Sequence, residues 1–146
     1  MLFRSELRIF KTYEELEARK DEAGLLDLGV HVWCDGPFQP EGRAAESVRE
    51  RIRQTMRATT RDHHEDLTPS NLEPPAVERL VEMKTPTLVL LGVYDFPETN
   101  SAMELLTARA PGAEKAAFET AHMVNLEQPA RFNERVGAFF ATVKGQ

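Results

Sequence analysis

The sequence predicts an α/β fold: a helical segment followed by a βαβα unit with two parallel strands. Three observations carry that expectation. The texture of the chain changes near residues 72–75, since residues 42–75 hold only eight apolar side chains in 34 positions while apolar residues concentrate from Pro86 onward. The run Thr87-Leu88-Val89-Leu90-Leu91, bounded by Pro86 and Gly92, is continuous rather than alternating, as in a strand covered on both faces. Finally, Phe132, Val136, Phe139, Phe140 and Val143 recur at helical spacing near the C-terminus. The chain is accordingly divided into residues 1–75 and residues 76–146.

Taken in order, Thr12 with Glu15 has the form of a capping box, and Tyr13, Leu16 and Lys20 then share a helical face up to Gly24. A second helix is expected over residues 25–33, stopping before the turn residues Asp35-Gly36-Pro37. A third spans residues 45–60, with Val48, Ile52 and Met56 forming a narrow stripe that suits a surface helix. Residues 61–75 read as loop, closed by Pro74-Pro75, and a short helix covers residues 76–82. After the strand at residues 87–91, Ser101 and Glu104 offer a cap for a helix to about Ala110, with Ala102, Leu105 and Leu106 inward. Residues 114–118 form a second strand, and Pro129 opens the last helix. The two strands lie about 22 residues apart, enough for a crossover between parallel strands.

Composition narrows the function. The 146 residues carry a net charge of −6, with 18 Lys and Arg against 24 Asp and Glu, which disfavours nucleic acid as a partner. A single cysteine, Cys34, excludes an internal disulfide and suits a reducing compartment. No apolar run approaches the roughly 20 residues of a membrane span, and the N-terminus lacks the form of a signal peptide. The expectation is an acidic, soluble, cytoplasmic protein with no membrane partner.

Each strand is followed by a residue with chemistry to offer. Asp95 stands in the loop after residues 87–91, and His122 in the loop after residues 114–118. Sites in open α/β sheets form outside the carboxyl ends of the strands, and adjacent strands lie about 4.8 Å apart. The two side chains are therefore within reach of one another. A carboxylate on one imidazole nitrogen fixes the tautomer and leaves the other nitrogen to act as a base. A surface aspartate beside a satisfied loop histidine has the same spacing.

At these residues the sequence resembles the α/β-hydrolase family. The stretch Pro-Thr-Leu-Val-Leu-Leu-Gly-Val-Tyr-Asp, residues 86–95, is similar to that family's seventh strand and G-x-x-D acid loop. Residues 121–129, Ala-His-Met-Val-Asn-Leu-Glu-Gln-Pro, followed by Phe132-Asn133, are similar to its histidine loop and final helix. Val32-Trp33-Cys34-Asp35-Gly36-Pro37 and Ser47-Val48-Arg49-Glu50 resemble, more loosely, the helical cap of esterase- and lactonase-like members. The resemblance implies a partial α/β-hydrolase fold, with a cap-like segment at 1–75 and a C-terminal core portion at 76–146. It implies Asp95 as triad acid, His122 as general base, a small-molecule carbonyl substrate such as an ester or lactone, and no metal or organic cofactor. Glu127, near the start of the last helix, is read as structural. Trp33, Phe96 and Met123 either line a substrate pocket or simply pack.

The family's nucleophile sits in a G-x-S-x-G elbow. Serines occur here only at positions 5, 47, 70 and 101, none flanked by glycines in that pattern, and no HGGG-type stretch is present. The expectation is a polypeptide that does not hydrolyse esters alone, either a hydrolase portion completed by a missing core or a non-catalytic interaction module. A strand without its neighbour would expose an edge through which the chain could form a homo-oligomer. Other candidates are weaker. Cys34, beside Trp33, reads as a core thiol rather than a nucleophile. Asp62-His63-His64-Glu65-Asp66 has metal-binding residue types without a ligating spacing and reads as a solvated loop. Arg49, Arg51, Arg53, Arg57 and Arg61, interleaved with Glu46 and Glu50, read as a solvated face or a contact to the missing core.

Overall fold

The computed structural model describes residues 4–62, 70 and 72–143. Three helices come first: α1 (Arg4–Ala18), α2 (Glu22–Val30) and α3 (Glu46–Asp62). Two 3-10 turns, Ala76–Glu78 and Leu80–Glu82, lead to β1 (Leu88–Gly92), α4 (Pro97–Arg109), β2 (Glu114–Phe118), a short α5 (Val124–Glu127) and α6 (Pro129–Val143). β1 and β2 pair in parallel, with Leu88 opposite Glu114 and Gly92 opposite Phe118. The fold is the expected partial α/β arrangement, and among the described residues the sheet has these two strands only. No helix among these residues is long and apolar enough to cross a membrane.

Several boundaries differ from the sequence expectation. Thr12 caps nothing: α1 begins at Arg4, and the Thr12 hydroxyl donates back to the Arg8 carbonyl at 2.9 Å, inside the helix. Of its expected apolar face only Leu16 is buried, while Tyr13 is 47% exposed, and Lys20 turns to positive φ just beyond the helix end. α2 starts earlier than expected because the Asp21 carboxylate accepts from Gly24 N, capping the helix. Ser101 likewise lies inside α4, which opens at Pro97, the favoured residue for a first helical position. Ala102 and Leu105 face outward, and Thr99, Asn100, Met103, Leu106 and Thr107 are the half-buried positions. The helix expected over residues 76–82 is two 3-10 turns. In α6, Phe139 is buried and Phe140 is 56% exposed. His63 to Asp66 lie outside the described residues.

After Val30 the backbone widens into a π-helical turn, His31–Asp35, which carries Trp33 and Cys34 and closes at Gly36. Gly36 has φ 100°, and a Cβ there would stand 2.5 Å from the Tyr94 carbonyl oxygen, so glycine both allows the turn and lets the Asp95 loop approach. Val30, Cys34, Ala44 and Ile52 form one buried cluster, against which Val48 and Met56 pack from α3. The stripe on α3 is therefore a core seam, although the helix's other face is exposed. Met123 and Leu126 join this cluster from the other half of the chain. Cys34 is the core thiol expected.

Two arginines of α3 correct the sequence reading, while Arg51 and Arg57 are exposed as a solvated face requires. Arg49 is no solvated residue: it is 8% exposed and its guanidinium donates to the fully buried Asp35 carboxylate. Arg53 pairs with Glu50 and Asp27 instead of facing open solvent. Asp35 also accepts from Ala44 N at 2.9 Å and Gly42 N at 3.0 Å. Burial alone would push the Asp35 carboxyl up, but the two backbone N–H groups and Arg49 outweigh it and hold the carboxyl below its ordinary value of 3.8. A group depressed in the folded state stabilises that state above its ordinary value, and the contribution is lost as pH falls through the folded value. Urea unfolding should show Asp35→Ala costing about 3 kcal/mol at neutral pH, since the buried Arg49 then keeps only the exposed Glu41 and Glu46 carboxylates, 3.5 and 3.4 Å away. That difference from the parent chain should shrink as the pH is taken below about 4.

Candidate active site

The parallel register delivers the two loops side by side. Beyond the strands, Val93 N donates to Phe118 O at 2.9 Å and Tyr94 N to Thr120 O at 3.0 Å, so the loops after β1 and β2 continue the ladder. Gly92 makes this possible, because a Cβ there would sit 1.8 Å from the Ala121 carbonyl oxygen. One residue further, Asp95 N donates to Gly92 O, and Asp95 Oδ1 accepts from Phe96 N at 2.8 Å. These bonds fix the carboxylate, whose other oxygen, Oδ2, lies 2.6 Å from His122 Nδ1.

The pair is asymmetric in its exposure. The Asp95 side chain is 4% exposed and the His122 ring 44%. A carboxylate only accepts, so the proton of this bond belongs to Nδ1 and the neutral imidazole keeps its lone pair on Nε2. The indole of Trp33 packs on the His122 ring edge to face, with centroids 4.8 Å apart. Such an arrangement has the chemistry for a base: an oriented, partly exposed ring with an anion behind it that could stabilise an imidazolium.

The residues singled out in the sequence separate here. Trp33, His122 and Met123 line one cavity of about 250 Å³, together with Ile52, Thr55 and Met56 from α3. Phe96 is not on that wall; its ring meets Trp33 edge to face at 6.4 Å and Phe38 at 6.0 Å. Sequence reasoning missed the three α3 positions, although Ile52 and Met56 belong to the stripe that could have indicated them. It also gave no partner to Glu127, whose Oε1 accepts from Ala121 N at 2.8 Å and Oε2 from Arg43 Nη2 at 2.7 Å. Among the described residues no group of three His, Cys, Asp or Glu side chains could hold a metal ion.

With the fold and site in view, one comparison with solved structures is informative. The chain is similar to a hydrolase from Pseudomonas aeruginosa PA01, with a TM-score of 0.62 over 95% of this chain and 22% sequence identity. The likeness is one of fold. The chain spans about half of that hydrolase, covering 51% of its length. No family model and no curated protein matches the chain.

Two expectations follow from the local geometry. Gly92→Ala should destabilise by about 3 kcal/mol or more, read from the denaturant midpoint, because backbone rather than a flexible side chain blocks the new methyl. Cys34 should resist iodoacetamide at neutral pH until the chain unfolds. Burial, reinforced by the nearby Asp35 and Glu127 charges, pushes its thiol up to about 11 and leaves almost no thiolate.

Proposed function

We propose that Asp95 and His122 are the acid and general base of an acyl-transfer site for uncharged carbonyl substrates, esters or lactones, in a serine-hydrolase-type enzyme. The observation that carries this reading is the 2.6 Å bond from His122 Nδ1 to a buried Asp95, with His122 itself lining a cavity. In that role Nε2 takes the proton of an attacking hydroxyl, and Asp95 holds the ring and stabilises the imidazolium. The cavity wall supports a neutral substrate, since Trp33, Ile52, Met56 and Met123 are apolar, and Thr55 and His122 add polarity without a fixed charge. The hydrolase-like fold supports it further.

The nucleophile belongs to none of the four serines by motif, and the reading assigns it, with the oxyanion donors, to structure other than these residues. Residues 1–75 act as the cap-like part and residues 76–146 as the core portion. A second reading, a non-catalytic interaction module, draws on the exposed Leu72, Val81 and Phe140 and on a sheet that has two strands among the described residues.

Ester hydrolysis separates the two. On an activated ester such as p-nitrophenyl acetate, the 146-residue chain should turn over no faster than imidazole at equal histidine concentration, and His122→Ala should leave only the background of the other three histidines. In a polypeptide that also supplies a G-x-S-x-G elbow, His122→Ala should lower kcat by about 10⁴-fold or more and Asp95→Asn by about 10⁴-fold. Turnover that survives His122→Ala would overturn the assignment, and inactivity in both settings would favour the module.

A further inference from the structure

Arg43 reaches three segments around the site: the π turn, the loop before Asp95 and the short helix α5. Its Nε donates to Asp35 O at 2.5 Å and its Nη2 to Cys34 O at 2.6 Å, the two carbonyls that end the π turn bearing Trp33. The same Nη2 donates to Glu127 Oε2 at 2.7 Å, and the other oxygen of Glu127 accepts from the backbone of Ala121, the residue before His122. The guanidinium also lies over the ring of Tyr94, the residue before Asp95, 4.9 Å from its centroid. The contact is largely dry, with the Arg43 side chain 19% and the Glu127 side chain 8% exposed. A planar guanidinium can hold several acceptors in fixed directions, which an ammonium cannot reproduce.

We infer that Arg43 and Glu127 are positioning residues for the His122–Asp95 pair, and that through them the π turn of the helical half sets where the histidine ring stands. The inference rests on the proposed function for its chemical meaning, but the coupling itself is a property of the fold. Glu127 tethers the backbone on one side of His122, Trp33 packs against the ring, and Arg43 ties these two supports into one body. Releasing Arg43 frees the end of the π turn and the carboxylate of Glu127 together, so ring and indole should lose their mutual placement while the helices persist.

The test needs no turnover. Trp33 is the single tryptophan, and its contact with the His122 ring makes its fluorescence lifetime a reporter of that contact. The Nδ1–H proton shared with Asp95 should give a downfield proton NMR resonance, assigned by its loss in His122→Ala. Arg43→Met and Glu127→Ala are each expected to abolish or displace that resonance and to change the Trp33 lifetime. Glu127→Gln, which keeps an acceptor for Ala121 N, should restore part of both signals. Lys115→Met, which removes the exposed Lys115–Glu104 pair, should leave both unchanged.

Folded Arg43→Met and Glu127→Ala proteins with both signals as in the parent chain would overturn the inference. So would a parent chain with no downfield resonance and no lifetime response to His122→Ala. If either truncation prevents cooperative unfolding, Arg43→Lys and Glu127→Gln carry the test, and an unchanged resonance in both has the same consequence. Inactivity of the elbow-bearing polypeptide on the ester, with these shifts present, would sink the proposed function and leave the coupling standing.

Discussion

The molecule depends on a buried chain of alternating charge that runs from Arg49 through Asp35 and its backbone to Arg43 and on to Glu127. Each member is taken from water, and each is tolerated only because the next one is present. Asp35 is fully buried and would be costly there as a lone anion. Its two oxygens receive Arg49 and the N–H groups of Gly42 and Ala44, so the segment after the π turn is folded back onto it. That fold-back places Arg43 against the carbonyls of Cys34 and Asp35, groups that a turn ending at a glycine would otherwise leave without partners.

The sheet contributes the second constraint. With two strands in parallel register, whatever follows one strand lies beside whatever follows the other, and the ladder continues through Val93 and Tyr94. Asp95 and His122 meet because they occupy corresponding positions after β1 and β2. The close approach of Gly92 to the Ala121 carbonyl shows how little room the register leaves. Placement of Asp95 beside His122 is thus a backbone property, and the side chains around them refine it.

Sequence reading recovered what is local or periodic. The continuous run before Gly92, the proline at the start of α6 and the loop positions of Asp95 and His122 all depend on near neighbours in the chain, and β2 fell at residues 114–118 as expected. The capping boxes at Thr12 and Ser101 misled because a cap motif does not reveal whether helix already precedes it. In α1 helix runs from Arg4, and in α4 Pro97 supplies an earlier start. Asp35 read only as a turn residue, and Arg49 as part of a solvated face or a contact to the missing core, because their environment is made by partners 7 to 14 residues away. Arg43 and Glu127 are separated by 84 positions, and no pattern in one sequence announces such a pair.

Apolar packing alone would leave the seam between the halves underdetermined. Met123 and Leu126 rest on Val30, Cys34, Ala44 and Ile52, and flexible apolar side chains tolerate sliding by fractions of a residue at modest cost. The hydrogen bonds of Arg43 and Glu127 do not tolerate it, because direction as well as distance must be met at both ends. The seam also forms the cavity wall, with Trp33 from the π turn, Ile52, Thr55 and Met56 from α3, and His122 and Met123 from the loop after β2. A shift of the helical half would therefore move the cavity and the support of the imidazole ring together. The shape of that cavity and the orientation of the His122 ring cannot be varied independently in this fold.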